Sequence, residues 1–390
     1  MGFSFFRLPQ LCIYGQDSFT EVGDQTARFG KKALIVTDPV IEQTGYAAQC
    51  QQYLEKAGVA ASIYADIDSE PTDVHVEEAL KLCRQNQCDV IVALGGGSCL
   101  DTAKAVAVMA NNEGYIGDYM GGKKAIEHEP LPLICLPTTA GTGSEVTDVT
   151  VITNTSEEIK MMIKHPAFLP KVAVVDPNLS KTAPPKVTAA TGIDALCHAV
   201  EAYISRRSQP LTDTLALAAI EKIINSIEKA YQNGADLKAR DQMALAAMEA
   251  GAAFSNASVC LVHGMSRPIG AIFHVPHGIS NAMLLPAVLE FSHKHCMDRL
   301  ADVGRLFDKK LEQESDALAA DVAIQRIKAL CRNLNIPNLN EYGIDEKQFE
   351  AHLEKMADDA LASGSPENNP RIPSKEEIID LYRYAYHYRF

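Results

Sequence analysis

The chain has 390 residues, 47% of them hydrophobic and 22% charged, and a formal net charge of −14. That length exceeds the roughly 250–300 residues at which a single core stops growing, so two domains are expected, and the composition excludes a mostly disordered chain. An acidic balance without a Lys/Arg cluster excludes nucleic acid as a partner, although backbone N–H groups at a helix N-terminus still allow a nucleotide cofactor.

Ten cysteines are scattered without a CxxC pair, which suggests a reducing, cytoplasmic compartment. The opening MGFSFFRLPQ lacks the basic start and long apolar core of a signal peptide. No stretch approaches ~18 uninterrupted apolar residues, so neither export nor a membrane partner is expected.

In chain order, Ala33–Thr37, Ala61–Tyr64, Val90–Leu94, Leu133–Leu136 and Val172–Val175 are short apolar, β-branched runs separated by helical patterns. This alternation predicts a parallel α/β sheet of the dinucleotide-binding, Rossmann-like type. Asp38 follows the first run and is placed to accept hydrogen bonds from an adenosine ribose. Its carboxylate would repel a 2′-phosphate, which prefers NAD over NADP; a helix N-cap is the plainer alternative.

After Val90–Leu94 come Gly95, Gly96, Gly97 and Ser98, then Asp101 and Lys104 in an Ala-rich helical pattern. Glycines admit close ligand approach, and a new helix N-terminus suits pyrophosphate. The plainer reading is a tight turn with Ser98 as N-cap and Asp101 as its capping-box partner. After Leu133–Leu136, the loop Pro137–Glu145 sets the hydroxyls of Thr138, Thr139, Thr142 and Ser144 among glycines, a lining suited to a dinucleotide. Lys160 completes the cofactor-binding candidates.

Prolines in Thr182–Pro185 mark a hinge, giving expected domains of 1–183 and 184–390. Beyond it the periodicity is helical, as in Leu211–Tyr231 and Asp241–Ala253, so the second domain is expected to be all-α. Ser374 and Glu377 form a capping box that launches a last helix.

Asp194 and His198 stand four apart in a helix-forming segment and share a face. His263 and His277 lie in apolar surroundings, each followed by glycine. One carboxylate and three imidazoles suit Fe(II), Zn(II) or a neighbouring first-row ion, with open positions for a substrate oxygen. His274 is the rival to His277. His165, His293, His295, His352 and His387 lie in more polar contexts and are expected at the surface or in loops.

Taken together, Gly95–Ser98 with Asp101 and Lys104, Pro137–Glu145, Ala190–Glu201, Phe254–His263 and Val275–Pro286 resemble the iron-containing (group III) alcohol dehydrogenases, in family order and spacing. The resemblance is close to lactaldehyde reductase and propanediol dehydrogenase and spans nearly the whole chain. It implies that the glycine turn and the Thr/Gly loop hold NAD, that Asp38 selects it, and that Asp194, His198, His263 and His277 bind the metal. It also implies an N-terminal dinucleotide domain, an all-helical C-terminal domain and commonly a homodimer. The expected reaction is hydride transfer between an alcohol and NAD, with the cation as Lewis acid.

One departure stands in the His263–Gly270 stretch, where Arg267 replaces an imidazole of close relatives. A guanidinium cannot shuttle protons near neutral pH, so any such role is either lost or moved, with His274 as the candidate. Arg267 could instead pair with a carboxylate, suggesting an acidic aldehyde such as a semialdehyde, or with the cofactor, or merely offset local acids. Two alternatives remain at this stage. One is a dehydroquinate-synthase-like cyclase or lyase, for which the region offers chiefly Arg206, Arg207 and Arg267 as basic groups. The other is a non-catalytic NAD- or metal-binding protein.

Overall fold

The computed structural model describes residues 3–390. The chain divides into two compact units, Arg7–Ala183 and Pro184–Phe390, the second joined by the described residues 3–6. Phe5 belongs there because Gln209 Nε2 donates to its carbonyl at 3.0 Å.

The first unit carries eight strands: β1 (Leu11–Tyr14), β2 (Lys32–Val36), β3 (Ala60–Tyr64), β4 (Val90–Gly95), β5 (Leu133–Pro137), β6 (Val149–Asn154), β7 (Ile159–Lys164) and β8 (Val172–Val175). Its helices are α1 (Val22–Ala27), α2 (Pro39–Gln43), α3 (Tyr46–Lys56), α4 (Asp73–Gln85) and α5 (Gly97–Met109). Six strands form one parallel sheet in the order β1-β8-β5-β4-β2-β3, while β6 and β7 make a separate antiparallel hairpin.

Alternation along the strands splits the core in two. Ile91 and Ala93 of β4 join Val76, Ala79 and Leu100 of α4 and α5 on one face. Val90, Val92 and Leu94 join Val22, Cys50 and Leu54 of α1 and α3 on the other. Each fully buried Val, Leu or Ile contributes about 1.5–3 kcal/mol, so both faces of the sheet are held, as a parallel sheet requires.

The apolar-run reading missed three strands. β1 spans four residues at the sheet edge, and the apolar residues of β6 and β7 are interrupted by Thr150 and Thr153 and by Lys160, so neither forms a continuous apolar run. The N-cap assignment at Ser98 is also corrected. Gly96 is the N-cap of α5, and it has no side chain to offer.

The second unit is helical: α6 (Pro185–Ile204), α7 (Pro210–Gln232), α8 (Leu237–Ala257), α9 (Leu261–Phe273), α10 (His277–Ser292), α11 (Met297–Phe307), α12 (Asp316–Asn333), α13 (Leu339–Tyr342), α14 (Glu346–Ala362) and α15 (Lys375–Tyr386). Proline stands in the first turn of α6 and α7, where its missing N–H costs nothing. The Ser374–Glu377 capping box starts α15. Among the described residues no single helix is long and apolar enough to cross a membrane.

Candidate dinucleotide and metal sites

In the first unit the chain runs from β2 to β3 on one side, then crosses to β4 on the other side of β2. That reversal makes a switch point at the carboxyl ends of β2 and β4, where open α/β sheets bind ligands. Asp38 follows β2 here, and Gly95–Ser98 follow β4. Because the N-cap of α5 lacks a side-chain partner, the first amides of this 13-residue helix remain available to an anion.

Gly97 has a steric reason to be glycine, since a Cβ would lie 2.8 Å from Thr142 Cγ2. The Thr/Gly loop therefore packs directly against the turn. Thr138 N donates to the Gly95 carbonyl at 2.9 Å, and Thr139 lies beside Gly96. Thr139, Thr142 and Ser98 keep part of their surface exposed.

Asp101 and Ser144 are bonded to each other, with Ser144 Oγ donating to Asp101 Oδ1 at 2.7 Å. Asp101 Oδ2 also accepts from Val151 N at 2.9 Å. Asp101 thus fastens the loop and β6 to α5, and its capping-box assignment is corrected. Lys104 is fully buried and donates to Thr147 Oγ1 and the Val149 carbonyl, both at 2.8 Å. Lys160 on β7 pairs with Glu70 at 3.1 Å.

Asp38 caps α2, its Oδ1 accepting from Ile41 N at 2.8 Å. Its Oδ2 accepts from Cys99 Sγ at 3.4 Å, beside Gly95.

In the second unit, α6 supplies Asp194 and His198, α9 supplies His263 and α10 supplies His277. One ligand atom from each lies within 4.8 Å of the others. His263 Nε2 is 3.7 Å and His277 Nε2 4.0 Å from Asp194 Oδ1. Ligands each ~2.1 Å from one cation stand roughly 3–4 Å apart, so this set fits a first-row divalent ion. Asp194, His198 and His263 are buried, whereas the His277 side chain is 30% exposed and marks the open side.

Gly278 lets α10 approach α6, because a Cβ there would stand 3.0 Å from the Ala190 carbonyl oxygen. Phe254 stacks on His198 with ring centroids 4.2 Å apart, fixing that ring. Burial first, then His198 and Arg267, hold His263 well below the usual imidazole range, which keeps its lone pair free for a metal.

Sequence reasoning missed two residues here. Glu201 Oε2 lies 2.5 Å from His263 Nδ1, and its Oε1 accepts from Val262 N at 2.6 Å. The other imidazole nitrogen is thereby turned toward the cluster, the usual carboxylate–histidine–metal arrangement. Asn281 Nδ2 donates to Asp194 Oδ1 at 2.6 Å and lies 3.0 Å and 3.1 Å from Nε2 of His263 and His277. The signals were helical spacings: Glu201 is seven residues after Asp194, and Asn281 four after His277.

Two expectations change. His274 is exposed, caps α9 in a left-handed conformation and stands outside the four-ligand group. Arg267 is buried, donates from Nη1 to Ser365 Oγ at 2.8 Å and carries its charge near Glu201. Its guanidinium is engaged inside the protein rather than offered to a substrate carboxylate, so the plain reading as an offset to local acids fits best.

A doubly wound nucleotide-type sheet and a buried carboxylate–trihistidine cluster on one chain define a metal-assisted nucleotide-dependent enzyme. The family described as iron-containing alcohol dehydrogenase matches residues 9–177, and its C-terminal counterpart matches residues 188–386. The chain belongs to the iron-containing alcohol dehydrogenases.

It is 36% identical over 382 residues to the NAD-dependent methanol dehydrogenase of Bacillus methanolicus, covering 97% of this chain and 99% of that one. It is 37% identical over 385 residues to 1,3-propanediol dehydrogenase of Klebsiella pneumoniae, covering 98% of each. A crystal structure of 1,3-propanediol oxidoreductase superimposes with a TM-score of 0.94 at 36% identity, over 98% of this chain and 100% of that one. The chain is an NAD-dependent, iron-type alcohol dehydrogenase that interconverts an alcohol and an aldehyde. Neither the cyclase nor the non-catalytic alternative is favoured.

Proposed function

We propose that the chain oxidises a small primary alcohol, and reduces the matching aldehyde, with Fe(II) on Asp194, His198, His263 and His277 and with NAD as hydride carrier. The observation that carries this reading is the convergence of those four ligand atoms within 4.8 Å. When bound, the cation supplies Lewis acidity at the substrate oxygen and the dinucleotide supplies the hydride acceptor.

The chain's own residues do the positioning. Asp194 contributes the anionic ligand, and Glu201 fixes the His263 ring. The amides of α5 and the hydroxyls of Ser98, Thr138, Thr139 and Thr142 hold the pyrophosphate. Ser144, Asp101 and Lys104 hold the loop that presents those hydroxyls, and Lys160 braces β7 against Glu70. The partly open side at His277 admits the alcohol.

NAD is preferred over NADP because the charged carboxylate of Asp38, at the end of β2, would repel a 2′-phosphate. Cytoplasmic residence is supported by ten cysteines that are all free thiols. A homodimer is supported by the exposed apolar side chains of Phe3, Phe5 and Leu8.

The test combines elemental analysis with an alcohol and aldehyde panel followed by NADH absorbance. One equivalent of a first-row metal, with NADH formed from short primary alcohols, is expected. A metal-free sample that turns over at the full rate would overturn the reading.

A further inference from the structure

The end of α4 closes with a paired hydrogen-bond pattern. Cys88 N donates to the Cys83 carbonyl at 2.9 Å, and Gln87 N donates to the Arg84 carbonyl at 3.1 Å. Gln87 takes φ +54° between them. This is a Schellman motif, whose geometry brings the side chains at its C3 and C″ positions into contact. Those positions are usually apolar. Here both are cysteine.

The backbone bond from Cys88 N to the Cys83 carbonyl sets the two side chains on the same side of this helix end, and Cys88 packs against the core that holds Cys83. Cys83 is 2% exposed and belongs to the core beneath α4, while Cys88 packs against that core with part of its surface in solvent. Contact with the Cys83 thiol holds the Cys88 thiol below its ordinary range, against burial and Asp89, with the Lys32 ammonium adding to the lowering. Cys197 and Cys331 are also neighbours, but both are fully buried. Cys12 is exposed, and its thiol is pushed up to about 11, chiefly by burial of part of the group.

We infer that Cys83 and Cys88 form a dithiol that hydroperoxides oxidise to an intramolecular disulfide, with Cys88 as the attacking sulfur and Cys83 as the resolving one. The Cys88 thiolate attacks the O–O bond of a hydroperoxide, which leaves as an alcohol after taking up a proton, and Cys88 becomes a sulfenic acid. The Cys83 thiol then condenses with it, forming the S–S bond and releasing water. Two thiols lose two electrons to one peroxide. Residues five apart that already share a backbone hydrogen bond need little rearrangement to close this ring.

The pair sits before the first residue of β4, at the opposite end of that strand from the glycine turn. Oxidation there leaves the turn chemically unchanged.

The test treats the zinc-loaded full chain with hydrogen peroxide, blocks remaining thiols and digests with trypsin without reduction. Trypsin cuts after Lys81 and Arg84, so a Cys83–Cys88 disulfide joins Leu82–Arg84 to the peptide beginning at Gln85. Fragmentation distinguishes a link at Cys88 from one at Cys99. The joined peptide is expected to form roughly tenfold or more faster than any Cys12 adduct. In Cys83→Ser, Cys88 is expected to be captured by a 1,3-dione as the sulfenic acid, and in Cys88→Ser neither product is expected. A wild-type Cys88 that proceeds to sulfinic acid without the link would overturn the inference. So would a Cys88 that stays reduced at doses that oxidise Cys12.

Discussion

Glu201 Oε2 stands 2.5 Å from Nδ1 of His263, joining α6 to α9 directly behind the candidate metal ligands. This contact orients one imidazole for the cation, and outer partners of this kind typically govern metal affinity by 10- to 100-fold, taken as an order of magnitude. Glu201→Ala is therefore expected to release metal to a competing chelator at roughly 10- to 100-fold lower chelator concentration. Glu201→Gln, which keeps an acceptor, should retain more of it. Equal metal retention in wild type and Glu201→Ala would remove Glu201 from this role.

Asp38 offers a separable pair of functions. Its Oδ1 caps α2 through Ile41 N, a contact asparagine can reproduce, while its charge is what disfavours a 2′-phosphate. Asp38→Asn should raise NADP use relative to NAD by about tenfold, or ~1.4 kcal/mol, with thermal stability nearly unchanged. Asp38→Ala should show the same shift and lose about 1 kcal/mol of stability as well. Ratios of kcat/KM for the two cofactors, with melting curves, decide between them.

Arg267 yields a prediction against an acidic substrate. With its guanidinium buried on Ser365 and beside Glu201, Arg267→Met should cost roughly 2–3 kcal/mol of stability. The preference between succinic semialdehyde and butanal should not move. A selective loss of semialdehyde turnover would instead give Arg267 a direct substrate contact.

At Gly278 an added side chain is expected to force α10 and α6 apart by a few tenths of an ångström. A methyl group 3.0 Å from the Ala190 carbonyl oxygen pushes α10 away from α6, and with it His277 from Asp194. Gly278→Ala should lower metal occupancy, read by elemental analysis after dialysis, more than it lowers NAD affinity.

Burial pushes the Glu145 carboxyl up to about 7 from an ordinary 4.5. The folded protein therefore holds this proton more tightly than the unfolded chain. Stability is highest below pH 4.5 as far as this group is concerned, falls as pH rises toward 7, and carries the full penalty above it. That penalty is on the order of 3 kcal/mol at one pH unit per 1.36 kcal/mol. Glu145→Gln should thus melt higher than wild type at pH 8 and about level with it near pH 5, as scanning calorimetry across pH would record.

Much of this was legible in the sequence because it is periodic or local. Asp194 and His198 announce a shared helix face, the glycine run after Val90–Leu94 announces a strand-to-helix turn, and Ser374 with Glu377 announces a helix start. What escaped depended on partners distant in the chain. Nothing near Asp101 says that its carboxylate will meet Ser144 and Val151, and nothing near Arg267 says that Ser365 will receive it. Glu201 and Asn281 lay on readable faces, but a helical glutamate or asparagine is ordinarily a solvated residue, and only tertiary packing sets them against imidazoles.

Lys104 is an amine with no exposed surface, anchored to Thr147 and Val149 under the turn at the head of α5. An acylating reagent in water cannot reach it while the first unit is closed. Its rate of labelling therefore gauges how often that unit opens, independently of the helical half, and gives the molecule an internal clock for local unfolding.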